Sequence, residues 1–205
     1  MAVKCGLYSN ACIINPGECG DCRIRINRNN RLTAVSNGYP CAAHRDPFEK
    51  KPLFHFLPCT WIFSLAAGGC NLHCTNCQNR EISRDSPLDI PAFKLEPDEL
   101  PALVNQYECP SAAYTYTEPL VYYEYTLAYS RQVKEAGLKN VLVTADYLNP
   151  GPFKKLFIAP DEGENTFCSQ CHILIVRRNG YTILESHMQN GRYAYCGEEV
   201  CGIWK

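Results

Sequence analysis

The sequence predicts an α/β protein whose centre is a short series of βα units within residues 57–160. An apolar run at 61–67 ends at two glycines, β-prone segments follow at 111–117 and 140–144, and helix-like segments lie between them. Strand, helix and strand in this order imply parallel strands joined by crossovers. A complete eight-unit barrel takes about 250 residues, roughly 31 per unit, so this stretch holds about three units.

Helix signals fit this order. Residues 98–107 follow a proline and begin with two acidic residues, which suits a first helical turn. Apolar residues then recur at helical spacing over 121–136, with Pro119 at the start and Gly137 at the end. A further helix is expected at 151–158.

Residues 1–56 are predicted to form a cysteine-rich N-terminal extension. Segment 23–27 alternates polar and apolar residues, two asparagines supply a turn, and 32–36 returns as a second strand. We expect the arginines of the first strand on a solvated face. Four thiols in this extension offer a set of metal ligands: Cys5, Cys12, Cys19 and Cys22.

Residues 161–205 are predicted to form a separate C-terminal module. Two β-prone runs, 173–177 and 181–185, flank an Arg-Asn-Gly turn, which predicts a hairpin. Cysteines before and after the hairpin are arranged as in a zinc ribbon, and a unit of about forty residues needs such a staple. The candidate zinc ligands are Cys168, Cys171, Cys196 and Cys201.

Composition restricts the functional classes. The net charge is −1 and no long charge run occurs, which argues against nucleic acid or an anionic membrane surface as a partner. No stretch approaches the roughly 20 apolar residues of a membrane span, and the first residues lack the apolar region of a signal peptide. We therefore expect a cytoplasmic protein, in which 14 cysteines indicate metal or cluster ligation rather than disulfides.

Three cysteines follow the first predicted strand in C-x3-C-x2-C spacing: Cys70, Cys74 and Cys77. A structural zinc takes four protein ligands, whereas a cubane 4Fe–4S cluster takes one thiolate at each iron. Three thiolates on one loop would leave one iron open to a small molecule. The alternative is a zinc knuckle completed by His73 or by a distant cysteine.

The loop CNLHCTNCQN resembles the cysteine signature of radical S-adenosylmethionine (SAM) enzymes. Further segments resemble the radical SAM member of the AmmeMemoRadiSam system, a group similar to pyruvate formate-lyase activating enzyme. They are HRDPFEKKPLFHFLP (44–58), TYTEP (115–119), AGLKNVLVT (136–144) and GENTFCSQC (163–171). The resemblance runs along nearly the whole chain.

This resemblance implies a function. The three loop cysteines would hold a 4Fe–4S cluster that cleaves SAM reductively, and the 5′-deoxyadenosyl radical would abstract hydrogen from a substrate, as in the activation of glycyl radical enzymes. Thr117, Glu118 and Pro119 match the motif that holds the amino group of SAM. The implied partners are SAM, an electron donor and a protein substrate. The segment 44–58 belongs to the resemblance without an assigned role.

The resemblance also implies a gap, because radical SAM enzymes resemble a partial barrel of about six units, twice the number predicted here. The sequence LFIAP (156–160) passes directly to DEGENTFC (161–168). The fold expected is thus a truncated partial (β/α) barrel with an open sheet edge, a liability for aggregation. The alternative to an active enzyme is a catalytically inactive protein that binds an iron–sulfur cluster or zinc.

Overall fold

The computed structural model describes residues 1–51, 57–145 and 148–152, together with the backbone of three strands further along the chain. The helices in this part are α1 (Arg80–Ser83), α2 (Leu100–Gln106) and α3 (Tyr123–Glu135). The strands are β1 (Val3–Lys4), β2 (Ile13–Ile14), β3 (Arg25–Arg28), β4 (Arg31–Ala34), β5 (Ala42–Pro47), β6 (Trp61–Ala66), β7 (Ser111–Tyr114), β8 (Lys139–Thr144), β9 (Asn165–Phe167), β10 (Ile173–Arg178) and β11 (Tyr181–Ser186).

Three parallel strands form the centre of the main sheet, as the sequence predicts. β6 pairs with β7, and β7 pairs with β8. Almost every residue of these strands is buried, which is typical of parallel strands covered on both faces. The parallel pairing of these strands agrees with the sequence, while the α/β class and closure into a partial barrel stay predictions.

α3 begins and ends where the sequence signals lie, whereas α2 begins at Leu100, so the acidic residues expected in its first turn precede the helix. A 3-10 turn at Pro119–Tyr122 leads into α3, and Gly137 ends that helix with a φ of +77°, a conformation that favours glycine. α3 packs against both α2 and β8. The helix predicted at 151–158 lies largely outside the described residues.

β5 forms the edge of the sheet beside β6, and the sequence gives no strand signal for it. β5 pairs antiparallel to β6, so that Ala42 lies opposite Ala66 and Pro47 opposite Trp61. The first residues of the segment 44–58 lie on β5, and they therefore run alongside the strand that leads to the cysteine loop.

The N-terminal extension contains the predicted hairpin, in which β3 pairs with β4 around Asn29 and Asn30, both at positive φ. The expectation of a solvated arginine face is wrong for Arg25, whose side chain is 7% exposed. Its guanidinium donates to both carboxylate oxygens of Glu124 on α3, at 2.8 and 2.6 Å. A bidentate pair of this kind fixes geometry as well as charge, so the extension is anchored to the main body.

The predicted C-terminal hairpin is also present. β10 and β11 pair antiparallel, and β9 pairs with the outer side of β10. β11 in turn pairs parallel to β8, with Ile183 opposite Leu142. The sequence assigns this hairpin to a separate module, whereas the pairing makes it part of a seven-stranded sheet in the order β5-β6-β7-β8-β11-β10-β9.

None of the helices among the described residues is both long enough and apolar enough to span a bilayer.

Candidate cofactor site

The cysteine loop begins where β6 leaves the sheet, at the carboxyl end of a buried parallel strand. Gly69 turns the chain there with a φ of +89°. A Cβ on Gly69 would lie 2.5 Å from the carbonyl oxygen of Cys22 and 2.9 Å from Cγ1 of Ile24. Gly69 therefore permits close approach of the N-terminal extension to the start of the loop.

The three loop thiols differ in environment. Cys70 is buried, and its Sγ accepts a hydrogen bond from the backbone N–H of Leu72 at 3.4 Å. Burial raises the pKa of the Cys70 thiol, although the backbone N–H groups of Leu72 and Glu118 act in the opposite direction. Cys77 is half-buried, with Sγ 3.3 Å from Oγ of Ser83, and Cys74 is exposed.

A loop with three thiols raises the question of whether it could hold a single metal ion or an iron–sulfur cluster. Among the described residues, no group of three His, Cys, Asp or Glu side chains is close enough together to hold one metal ion. A cubane holds its thiolates farther apart than a single ion does, because each sulfur binds a different iron. Three thiols on one loop therefore remain compatible with a cluster.

A second feature of the loop is a buried side chain without a partner. Asn71 is 5% exposed, and neither its amide nitrogen nor its amide oxygen has a hydrogen-bond partner among the described residues. Buried polar groups are nearly always satisfied, so such a residue marks a place where a polar partner is absent. The sequence patterns do not single out Asn71, since nothing local distinguishes it from a surface asparagine.

His73 is the residue that the zinc-knuckle alternative needs. Its Nε2 lies 3.0 Å from both carboxylate oxygens of Asp21 in the N-terminal extension, at an exposed position. This contact occupies one of its two ring nitrogens.

The predicted SAM motif lies directly beside the cysteine loop. Thr117 Oγ1 donates to the carbonyl oxygen of Ala67 at 2.8 Å, just before the loop glycines. Asn79, two residues after Cys77, donates through Nδ2 to the carbonyl oxygen of Tyr116, also at 2.8 Å. The structure thus brings together two motifs that lie about 40 residues apart in the sequence. Asn79 is a link that the sequence analysis does not identify.

Glu118 is buried, and most of its hydrogen-bonding capacity is used by the chain itself. Oε1 accepts from Thr144 Oγ1 at 2.6 Å and from the backbone N–H of Leu120 at 3.1 Å, and Oε2 accepts from the backbone N–H of Ala145 at 2.8 Å. A carboxylate has about four lone-pair sites. Three are used, which leaves about one, on Oε2. Burial raises the pKa of Glu118, and these three hydrogen bonds oppose that rise.

Glu118 also connects two strands of the sheet. It follows β7 and caps the 3-10 turn at Pro119–Tyr122, while Thr144 is the last residue of β8. Thr117 and Pro119 are buried on either side of it. All three predicted SAM-binding residues therefore lie at the carboxyl ends of adjacent parallel strands, where α/β proteins bind their ligands.

The N-terminal cysteines are only partly brought together. Cys5, Cys12 and Cys22 line one small cavity of about 10 Å³, which Asn71 also lines. Cys19 is exposed and does not line it. The candidate zinc ligands at the other end of the chain lie outside the described residues: Cys168, Cys171, Cys196 and Cys201.

Comparison with known proteins gives one relative to report. Over 154 residues, or 75% of this chain, the sequence is 46% identical to the uncharacterized protein MJ0808 of Methanocaldococcus jannaschii. The aligned part is 46% of that protein's length, so the chain spans about half of this relative. No known protein family matches the chain, and no solved structure matches it.

Proposed function

We propose that the chain is a radical SAM enzyme, in which Cys70, Cys74 and Cys77 hold a 4Fe–4S cluster and Thr117, Glu118 and Pro119 hold SAM. The observation that carries the proposal is the adjacency of the two motifs. Thr117 Oγ1 donates to the carbonyl oxygen of Ala67, at the strand end from which the cysteine loop starts, and Asn79, just after Cys77, donates to the carbonyl oxygen of Tyr116. Two motifs of one known chemistry are thereby adjacent at one edge of the sheet.

The cluster, when bound and reduced, would supply the electron that cleaves the sulfonium bond of SAM. The protein's part is positioning. The N–H groups that reach Cys70 stabilise its thiolate form, because hydrogen bonds to the charged state favour that state. The free lone pair of Glu118 would accept a hydrogen bond from the SAM ammonium group, and the buried surroundings strengthen such a contact by excluding water.

Anaerobic reconstitution with iron and sulfide tests the cluster assignment directly. We expect about four irons per chain and a broad visible absorbance, together with saturable SAM binding in calorimetry. Release of 5′-deoxyadenosine under a strong reductant would complete the assignment. Purified protein that carries zinc at this loop and binds no iron would overturn it.

The second candidate function is a catalytically inactive protein that binds an iron–sulfur cluster or zinc. Its support is the small number of βα units, with β6, β7 and β8 as the parallel strands that follow one another in the described part of the chain, and the near-saturation of Glu118 by donors of the chain itself. SAM titration of the reconstituted protein separates the two candidates. An inactive protein would load iron and leave SAM unbound.

The proposed chemistry also implies partners for the enzyme. An electron donor and a protein substrate are the partners that a glycyl-radical-activating type of reaction requires. Zinc at the C-terminal cysteines and a cytoplasmic location stay predictions. Zinc content after iron reconstitution, measured on wild type and on Cys168→Ala, addresses the C-terminal site.

A further inference from the structure

The segment 44–58 has no role in the function proposed above, yet its first part contains a buried charge cluster. Asp46 lies on β5 opposite Ile62 of β6, and its side chain is 6% exposed. Its Oδ1 accepts from Lys50 Nζ at 2.6 Å and its Oδ2 from Lys51 Nζ at 2.7 Å. Lys51 is 4% exposed at its side chain, so Asp46 and Lys51 form a buried pair, and Lys50 is 55% exposed.

The third partner of Asp46 comes from the SAM motif. The hydroxyl of Tyr116 donates to Oδ2 of Asp46. Nζ of Lys51 lies 4.3 Å from the centre of the Tyr116 ring, a cation–π arrangement. The tyrosine is therefore bound at its hydroxyl and at its ring face by two residues of the segment 44–58.

The backbone of Tyr116 is in a conformation that tyrosine rarely adopts. Its φ is +68°, and the N–H of Thr117 donates to the carbonyl oxygen of Thr115 at 2.9 Å. This pattern is a three-residue γ-turn with positive φ at its centre, a rare and strained turn. Strain of this kind persists only where surrounding contacts enforce it, and it is concentrated at ligand sites.

The turn determines where Glu118 is placed. Tyr116 lies between the end of β7 and the pair Thr117-Glu118, so a relaxed turn would move the carboxylate away from Thr144. The contacts that enforce the turn are the Asp46 and Lys51 contacts to its side chain and the Asn79 contact to its carbonyl. Because this position is not a glycine, the positive φ is unfavourable, and these contacts must supply the free energy that stabilises it.

We infer that Asp46 and Lys51 are positioning residues of the SAM site: they hold Tyr116 in the strained turn and thereby place Glu118. The inference rests on the proposed function for its ligand and on the observed geometry for the turn itself. It assigns a physical role to the first part of the segment 44–58.

Tyr116→Phe is the most specific test, because it removes the hydroxyl and keeps the ring over which Lys51 lies. Tyr39→Phe is the matched control, since Tyr39 is 47% exposed and removes the same atom elsewhere. We expect SAM affinity of the reconstituted protein to fall about tenfold in Tyr116→Phe, the value of one hydrogen bond to a charged group. Tyr39→Phe should bind as wild type does.

Amide hydrogen exchange supplies a readout that does not depend on SAM. In the same variant without SAM, exchange at the Thr117 N–H that closes the turn should rise several-fold, while amides of β6 and β7 keep their protection. Uniformly faster exchange through the core, with a lowered melting temperature, would show general destabilisation and overturn a positioning role. Lys51→Met, which keeps the stem of the side chain, should reproduce the local effect.

The outcomes separate this inference from the function on which it rests. Wild type that binds SAM, with Tyr116→Phe binding equally well, overturns the inference and leaves the function intact. Wild type that binds no SAM overturns the function and the ligand named in the inference, and the Thr117 exchange then tests only whether Asp46 and Lys51 hold the turn: unchanged exchange rejects that role, and a local rise supports it.

Discussion

The cysteine loop and the turn that carries Glu118 lie next to each other, yet they are held in opposite ways. In the loop, Cys74 is exposed, Cys77 is half-buried, and Asn71 is buried without a partner. In the turn, Glu118 has three donors, and the Tyr116 that precedes it is held at side chain and carbonyl.

The difference indicates which part of the site is preorganised. The turn has its final shape from protein contacts alone, so a ligand that binds there pays little ordering entropy. In the loop, the thiol of Cys74 is exposed and the amide of Asn71 has no hydrogen-bond partner among the described residues, so both would take their final positions from the group that binds, as metal and cluster sites commonly do. Loss of a loop thiol should therefore affect loading, and loss of the Glu118 carboxylate should affect stability as well as binding.

The largest expected effect is on the loop. Cys74→Ala removes one of three thiolates and should abolish cluster loading, measured as iron per chain and visible absorbance after anaerobic reconstitution. Because the Cys74 side chain is exposed, the melting temperature of the apo-protein should stay within a few degrees of wild type.

Cys109→Ala is the control for this variant. Cys109 is buried and belongs to none of the candidate ligand sets, so its loss should lower stability slightly and leave iron content unchanged. Full iron loading in Cys74→Ala would contradict the three-thiolate site.

The next effect is on the turn. Glu118→Ala removes one acceptor from the hydroxyl of Thr144 and leaves the backbone N–H groups of Leu120 and Ala145 without the acceptor that they use in the folded chain. Each buried donor left unpaired costs about 1–3 kcal/mol, and partial relaxation reduces the sum, so we expect a loss of about 4 kcal/mol. Urea denaturation of the apo-protein measures this free energy of unfolding.

Glu135→Ala serves as the comparison, since Glu135 is exposed near the end of α3. It should change the free energy of unfolding by less than about 0.5 kcal/mol. If Glu118→Ala were equally harmless, the turn would not be preorganised by Glu118, and the contrast between turn and loop would be lost.

A smaller effect is expected where the loop meets the N-terminal extension. Gly69→Ala places a Cβ 2.5 Å from the Cys22 carbonyl at a φ of +89°, whereas Gly137→Ala at +77° meets no atom within 4 Å. The shared cost of positive φ is about 1 kcal/mol. We expect about 3 kcal/mol for Gly69→Ala, because backbone must also move.

The pair isolates the contact between loop and extension, as backbone conformation is nearly the same at the two glycines. Chemical denaturation of both variants gives the difference directly. Equal losses would mean that the extension yields freely at Cys22 and does not fix the start of the loop.

The local elements of this protein are readable from its sequence, and the long-range pairings are not. The strand at 61–67 follows from an apolar run. The helix between Pro119 and Gly137 follows from apolar periodicity, from the fixed φ of proline at its start and from the positive φ that glycine permits at its end. β5 has no such pattern, because Ala-Ala-His-Arg-Asp-Pro neither alternates nor forms an apolar run. Its place beside β6 is set by pairing partners that no local window contains.

The same limit applies to the sheet edge. Three βα units alone would leave the side of β8 away from β7 unpaired, and the sequence predicts an open edge there. β11 of the C-terminal hairpin pairs with β8 instead, so the edge of the parallel part is covered by a segment about 40 residues further along the chain. A hairpin signal predicts the two strands and cannot predict the third strand that they join.

For the candidate site, the sequence identifies residue types and omits the supports. The three thiols and the TYTEP motif are visible because their spacing is regular or resembles a family. The strained turn at Tyr116, the buried pair of Asp46 and Lys51, and the unpartnered Asn71 depend on the folded backbone. Arg25 shows the same limit, because an alternating strand pattern cannot indicate that Glu124 lies opposite.

The smallest expected effects are on the pH dependence of stability, where two carboxylates near the turn should behave oppositely. Burial alone would raise the pKa of Asp46, but hydrogen bonds from Lys50, Lys51 and Tyr116 outweigh it and hold the pKa well below its usual range. The folded state then binds fewer protons than the unfolded state below pH about 4. The advantage of wild type over Asp46→Asn should therefore be complete above that pH and shrink as the pH falls.

Burial raises the pKa of Glu118, so its sign is reversed. Above the ordinary pKa of a glutamate, about 4.3, the folded state retains a proton that the unfolded chain has lost. Wild type should lose stability relative to Glu118→Gln as the pH rises above this value, whereas its gain in stability relative to Asp46→Asn occurs as the pH rises towards about 4. Urea denaturation between about pH 3 and pH 8 measures how both stability differences change with pH. Slopes of the same sign would mean that one of the two carboxylates is not held as the geometry of the turn implies.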